Sequence, residues 1–316
     1  MTGTVSLESI RAAHERLPRE VVHTPLVPLR VDGEERKIFL KLENLGPIGS
    51  FKLRGAANAL ASGTGDEGVY TASAGNMAQA VGWMARELGV PCSVIVPDHA
   101  PAAKLDAIDR LGAEVIKVPF EAWWEVIVNH TYPGFEDRRF VHPVCDPDVL
   151  AGNGTVGIEI LDELPEVDTI VVPYGGGGLS SGIASATRSL APSVRVFGAE
   201  VETAAPLHAA LAHGEPVDIE YQPTFVDGIG SGRVLDEMWP LVSELLSGSL
   251  VVGLAEVADA VRLIASRNHV VAEGAGAAPV AAALAGGAGD GTVVCVVSGG
   301  NINPGKLARI LDGELP

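Results

Sequence analysis

The sequence is poor in cysteine and in positive charge, and both shortages narrow what the chain can be. Its three cysteines, Cys92, Cys145 and Cys295, lie far apart and form no Cys-x-x-Cys pair. That excludes a disulfide framework and a sequence-local zinc site, and it points to the reducing cytoplasm. Lysine and arginine number 22 against 40 acids, a net charge of −18, with no basic run anywhere. Binding to a phosphate backbone needs clustered cations, so nucleic acid is excluded as the main partner. Residues 1–8 have neither the basic start nor the apolar core of a signal peptide. The Ala/Gly-rich stretch 272–289 is broken by Glu273 and Pro279 and has few bulky side chains, so no membrane partner is expected.

What is present is a globular balance, 47% hydrophobic and 20% charged, which sets the chain apart from disordered sequences. Its 316 residues suit one large α/β domain or two modest ones. Short apolar runs alternate with helix-period segments, the pattern of mostly parallel sheets covered by helices. Residues 69–72, 92–96 and 114–118 read as strands. Between the first two lies a helix with Met77, Val81, Met84 and Leu88 on one face, closed by Gly89; the next helix, through Leu105, Ile108 and Leu111, stops at Gly112. The later chain repeats the arrangement, with strands at 169–174 and 194–199 around a helix at 179–190, and a β-branched strand at 292–297. Near the start, Ser6 caps a helix carrying Leu7, Ile10 and Leu17.

Four segments could carry chemistry. Lys52 stands among small and apolar neighbours, Ser50-Phe51-Lys52-Leu53, where burial would disfavour its ammonium form and make it a Schiff-base nucleophile or proton-transfer base. The plainer alternative is a lysine at a helix start with its head in solvent. Gly175, Gly176, Gly177 and Gly178 join a strand to a helix, and such a loop lets backbone amides converge on a phosphate. It lacks the Lys-Ser/Thr ending of a P-loop, which argues against triphosphate hydrolysis. Ser73, Ala74, Gly75 and Asn76, also between strand and helix, offer donors for a carboxylate or form an ordinary capped turn. Ser298 closes the strand at 292–297, on the edge where parallel sheets bind ligands, unless it simply caps.

A nucleotide-binding oxidoreductase is the rival reading of the glycine loop, with Glu200 as the ribose-binding acid. The G-x-G-x-x-G spacing fails, however, because the third glycine falls on Ser180 or Ser181. A nicotinamide enzyme would also have no use for the lysine. An enclosed lysine, an anion cradle, a carboxylate loop and a polar group for a ring nitrogen together meet the needs of pyridoxal phosphate.

On these residues the chain resembles the threonine/serine dehydratase family of fold type II pyridoxal phosphate enzymes, with a tryptophan synthase beta-like fold. The likeness runs through His23-Thr-Pro-Leu26, Lys41-Leu-Glu-Asn44, residues 50–55, residues 73–79, Ala151-Gly-Asn-Gly-Thr155, residues 175–178, Glu273-Gly-Ala-Gly276 and residues 298–301. The resemblance implies that Lys52 carries the cofactor covalently, that Phe51 lies against its ring and that Gly175–Gly178 hold its phosphate. It implies that Asn76 bonds the ring hydroxyl oxygen, that Ser298 bonds the pyridine nitrogen, and that Ser73, Ala74, Gly75 and Asn76 receive the substrate carboxylate. It implies a large domain from residues 1–63 and 143–316, a small mobile domain from residues 64–142, and a homodimer. The implied reaction is loss of water from a β-hydroxy amino acid, threonine or serine first, to give a 2-oxo acid and ammonia. β-Replacement, racemisation, or a larger substrate such as 3-hydroxyaspartate or phenylserine are the neighbouring possibilities.

Departures from the family pattern carry their own expectations. Ala74 stands where related racemases have a serine base, so little racemisation is expected. Met77 replaces a histidine common after Asn76, and either alters the polarity there or packs as core. A divalent cation in some relatives uses a glutamate matched by Glu200, but Pro206 stands at the position of its aspartate. Trp123, Trp124 and Tyr174 read as packing residues, or else as the wall of a pocket for a larger substrate. The chain ends at Pro316, soon after the Ser298 segment, so feedback control through a C-terminal regulatory domain is not expected.

Overall fold

Aliphatic and β-branched runs between glycine- or proline-marked turns become strands, and the structure collects them in two sheets. The structure is a computed structural model that describes residues 5–18, 20–21, 23–33 and 36–316. The larger sheet has the order β1 (Leu26–Pro28), β2 (Ile38–Leu42), β10 (Val293–Val297), β7 (Thr169–Pro173), β8 (Arg195–Val201) and β9 (Gly248–Val252). The smaller has the order β5 (Glu114–Val118), β4 (Cys92–Pro97), β3 (Val69–Ala72) and β6 (Arg139–Phe140). Every neighbouring pair is parallel except β1 with β2. The expected α/β class, with parallel sheets flanked by helices, is therefore present.

Parallel pairing places the carboxyl ends of β2, β10 and β7 on one edge, with Val297 beside Leu42 in the register. The segments that leave this edge lead to Lys52, Ser298 and Gly175. In the smaller sheet the segments leaving β3 and β6 are residues 73–76 and 141–145. Ligands of open α/β sheets bind at such ends.

The helices follow their apolar periodicity. Helix Asn76–Leu88 buries Met77, Val81 and Met84 and closes on Gly89, whose φ of +68° is the left-handed conformation glycine adopts freely. Leu88, expected on the same face, is the last residue of the helix and is 49% exposed. Met77 is 1% exposed among apolar neighbours, so it packs as core. The Ala/Gly-rich stretch becomes helix Gly274–Leu284, buried almost throughout and packed across β7, β8 and β10. A Cβ at Gly276 would sit 2.7 Å from the Gly299 carbonyl oxygen, so small residues here let the helix reach the segment after β10.

Helix Lys52–Ser62 is held by a buried ionic cluster. Arg54, 1% exposed, donates to both carboxylate oxygens of Glu43 at 2.7 and 2.8 Å and to both of Glu159 at 2.6 and 2.9 Å. Lys41, fully buried in β2, bonds Glu159 and Glu163, each at 2.8 Å. Burial opposes the Arg54 charge, yet Glu43 and Glu159 outweigh it and hold the guanidinium more firmly protonated. Burial likewise opposes ionisation of Glu159, but Arg54 and then Lys41 pull its carboxyl down to about 2. The partner helix Pro147–Glu163 comes close because Gly55 and Gly152 have no side chains; a Cβ at Gly55 would lie 2.7 Å from Val149. Arg54→Met leaves two buried carboxylates without their shared cation. The expected loss is about 3–5 kcal/mol of folding free energy, measured by urea unfolding at neutral pH.

Candidate active site

Lys52 is the first residue of its helix, and the chain just before it is stitched to the end of β10. Phe51 N–H donates to the Ser298 carbonyl oxygen at 2.9 Å, and Ser50 bridges Gly299. The Lys52 amine donates to the Pro143 carbonyl oxygen at 2.7 Å and lies 5.2 Å from the Phe51 ring centre. The residue as a whole is half-buried, but the atoms packed about its amine penalise the charged form and push its pKa down to about 8.

The residue after Pro143 meets the glycine loop. A Cβ at Gly176 would fall 2.6 Å from Val144 Cγ2, and one at Gly178 would fall 2.7 Å from the Val144 carbonyl oxygen. Gly177 has φ +92°, which side-chain-bearing residues rarely adopt. The loop is glycine because it must turn tightly against residue 144. Among the described residues, none accepts a hydrogen bond from the amides of Gly175, Gly176, Gly177 or Gly178. They sit at the positive start of the 13-residue helix Gly178–Leu190, a place suited to a phosphate. Lys52 and the cradle thus meet across two consecutive residues, Pro143 and Val144.

Ser298 is 3% exposed, and its hydroxyl has no partner among the described residues, which leaves it free for a ring nitrogen. Residues 73–76 open helix Asn76–Leu88: Gly75 N–H donates to Ser73 Oγ at 3.2 Å, and no atom lies within 4 Å of a Cβ built at Gly75. Ala74 is half-buried against the smaller core. Asn76 does not hang free. Its Nδ2 donates to Glu273 Oε1 at 3.2 Å, and its Oδ1 accepts from Asn301 Nδ2 at 2.8 Å, leaving one amide N–H for a ligand oxygen. Asn301 also donates to the Ile48 carbonyl oxygen, and Glu273 N–H donates to the Gly299 carbonyl oxygen, so these two residues tie the loop to the Lys52–Ser298 segment. Burial, reinforced by the charge of Asp227, pushes Glu273 up to about 7.

Four contributors carried no assigned role in the sequence: Pro143 and Val144, and Glu273 and Asn301 within segments that bear the family resemblance. The signal for Glu273 was an acid fixed among small residues in Glu273-Gly-Ala-Gly276. Nothing local marked Pro143 or Val144, since their role is contact with Lys52 and with Gly176 and Gly178, far off along the chain.

Glu200 stands apart from this assembly. It lies inside β8 rather than after it, fully buried, and its carboxylate accepts from the amides of Leu207 and His208 at 2.8 Å each and from the Ser249 hydroxyl. Burial raises its pKa to about 7. An acid engaged in capping helix Pro206–His213 does not reach a ribose, and the structure does not support a divalent cation there. Tyr174 is fully buried beside Gly177 and Gly198, as packing. Trp123 packs against the core of the smaller sheet while Trp124 is 41% exposed, as packing and surface residues.

A depressed lysine, a glycine cradle at a helix start, an open carboxylate loop and an unengaged hydroxyl fit pyridoxal phosphate by their donor chemistry. The chain belongs to the family of pyridoxal-phosphate dependent enzymes, which matches residues 18–299. It is similar to L-threonine ammonia-lyase of Thermotoga maritima, with 39% identity over 98% of this chain and 79% of that one. It is 36% identical to the catabolic L-threonine dehydratase of Escherichia coli K12 over 97% of this chain and 96% of that one. In three dimensions it matches maize serine racemase with a TM-score of 0.86 at 30% identity, covering 98% of each chain. The architecture is that of fold type II pyridoxal phosphate enzymes.

The shifted lysine makes a direct prediction. Covalent capture of added pyridoxal phosphate by the cofactor-free chain, fixed with borohydride and counted by mass spectrometry, accelerates with pH until about 8 and then levels off. An unperturbed lysine would keep accelerating to above about 10. In Gly176→Ala the methyl group presses on Val144, and cofactor affinity falls at least about tenfold, the cost of losing one good hydrogen bond's geometry.

Proposed function

We propose that this protein is an ammonia-lyase that removes water from a β-hydroxy amino acid, L-threonine or L-serine, and releases a 2-oxo acid and ammonia. The observation that carries the reading is the Lys52 amine, held near neutrality and joined through Pro143–Val144 to the glycine cradle. The names of the Thermotoga and Escherichia relatives support threonine as substrate.

Bound pyridoxal phosphate supplies an electron sink for the charge that develops at the substrate Cα. The chain's own groups do the rest. Lys52 would fix the cofactor, and its amine is the base placed to take the Cα proton; a pKa lowered to about 8 leaves far more of it unprotonated near neutral pH than an ordinary lysine would have. The first-turn amides after Gly75 receive the substrate carboxylate, with Ser73 shaping that turn. Gly175–Gly178 hold the cofactor phosphate, and Phe51 closes one side of the ring. Asn76, braced by Glu273 and Asn301, gives its remaining N–H to the ring oxygen. Ser298 would hold the ring nitrogen by donating a hydrogen bond from its hydroxyl, which is too weak an acid to surrender a full proton.

Ala74 carries no proton to relay, which supports elimination over racemisation. Residues 64–142 act as a small domain that brings the carboxylate loop onto the substrate, and residues 1–63 with 143–316 form the large one. Such closure excludes water from the reacting atoms. The reading includes a homodimer, by family likeness, and a cytoplasmic location, which the free thiols of Cys92, Cys145 and Cys295 support. Among the described residues no helix is long and apolar enough to cross a membrane.

An ammonia-release screen over L- and D-serine, L-threonine, 3-hydroxyaspartate isomers and phenylserine is expected to favour L-threonine and L-serine. Lys52→Ala is expected to lower that rate by about 10²–10⁴ or more, the contribution of a positioned base. Interconversion of L- and D-serine is expected at least about tenfold slower than elimination. Equal rates would overturn the role given to Ala74, and ammonia release from none of these substrates would overturn the reaction.

A further inference from the structure

Behind the pocket, the side chains best suited to bind a transition metal gather at one place. His130 Nε2, His142 Nδ1, Cys145 Sγ and a carboxylate oxygen of Glu237 all lie within 4.8 Å of one another. Cys145 Sγ is 2.9 Å from His142 Nδ1, 3.0 Å from Glu237 Oε1 and 3.7 Å from His130 Nε2. His130 Nε2 is 3.3 Å from the same Glu237 oxygen. The four come from three stretches of chain: His130 caps helix Phe120–Asn129, His142 and Cys145 bracket the turn after β6, and Glu237 precedes helix Trp239–Leu245.

We propose that these four side chains bind one zinc ion, or a divalent transition metal of similar softness, at a site separate from both Glu200 and the cofactor pocket. Two imidazoles, a thiolate and a carboxylate form a ligand set that zinc accepts in tetrahedral geometry. Magnesium and calcium, which demand oxygen, do not match it. The tautomer of His142 suits the task. Its Nε2 faces the Ile127 carbonyl oxygen at 3.2 Å, which assigns the ring N–H there and leaves the Nδ1 lone pair on the cluster side. That lone pair now accepts the amides of Val144 and Cys145 at 3.1 and 2.9 Å, and a metal replaces them.

Tetrahedral zinc sets its ligand atoms about 3.3–3.8 Å apart. The two closest pairs therefore open by less than about 1 Å and the widest close by up to about 1.5 Å, within the reach of side-chain rotation. The Cys145 thiol gives its proton to solvent, and one thiolate with one carboxylate balances the dication. The ion would tie the small-domain helix ending at His130 to the stretch between β8 and β9 of the larger sheet. The tie falls just behind Pro143 and Val144, the residues on which the Lys52 amine and the glycine cradle meet.

The test titrates zinc chloride alone into the metal-stripped, reduced, cofactor-loaded full chain. Bound metal is counted by mass spectrometry, and the coordination is read by zinc-edge X-ray absorption. One equivalent is expected, with a sulfur shell near about 2.3 Å beside nitrogen and oxygen near about 2.0 Å. Cys145→Ser is expected to lose the sulfur shell, and His130→Ala to bind at least tenfold more weakly; each is checked for folding by circular dichroism without metal. Excess magnesium should leave zinc bound. Zinc held without a sulfur shell, no stoichiometric binding, or wild-type affinity in both variants would overturn the site.

Discussion

The buried guanidinium of Arg54 is the constraint on which the catalytic geometry rests. Its five N–H donors are arranged in a rigid fork, and here the fork meets two carboxylates from different parts of the chain, Glu43 just after β2 and Glu159 on helix Pro147–Glu163. Lys41 supplies the second cation, so the four innermost charges sum to zero. A neutral, fully bonded cluster is tolerable inside a protein, while one missing partner is not. Because Arg54 lies two residues after Lys52, the same bonds that lock helix Lys52–Ser62 also fix where the lysine leaves the sheet edge.

From that anchor the pocket assembles by backbone contact more than by side-chain recognition. Phe51 N–H meets the Ser298 carbonyl, Ser50 bridges Gly299, and Gly276 lets a buried helix press on the segment after β10. The glycines at 176 and 178 admit Val144, whose neighbour Pro143 receives the Lys52 amine. Burial around that amine then sets its charge state, since the enclosure that orients it also lowers its pKa to about 8. Structure and reactivity have one cause here: removal of water from a single ammonium group.

Much of this was legible along the chain. The glycine run, the strand–turn–helix setting of residues 73–76 and the serine after a β-branched strand are local patterns, and each fell at the carboxyl end of a parallel strand as read. Strand edges moved by a residue or two, and at Glu200 that mattered. An acid thought to follow its strand is inside it, and its oxygens are taken by the amides of Leu207 and His208 and by Ser249. Asn76 was read as free to meet a ligand, whereas Glu273 and Asn301 brace it first. The ligands of the proposed zinc site show no motif at all, because positions 130, 142, 145 and 237 meet only when both sheets are in place.

The sequence by itself determined the alternation of strands and helices, the small and apolar setting of Lys52 and the placing of a glycine run between a strand and a helix. Those properties follow from periodicity, backbone freedom and residue type, all of which act over a few neighbouring residues. Only the tertiary structure decided that Lys52 rests on Pro143, that Val144 requires glycine at 176 and 178, and that Glu200 caps a helix. Each of these depends on packing between segments tens of residues apart. Close contact, exclusion of water and competition for hydrogen bonds are properties of the folded interior and have no counterpart in the linear order of residues.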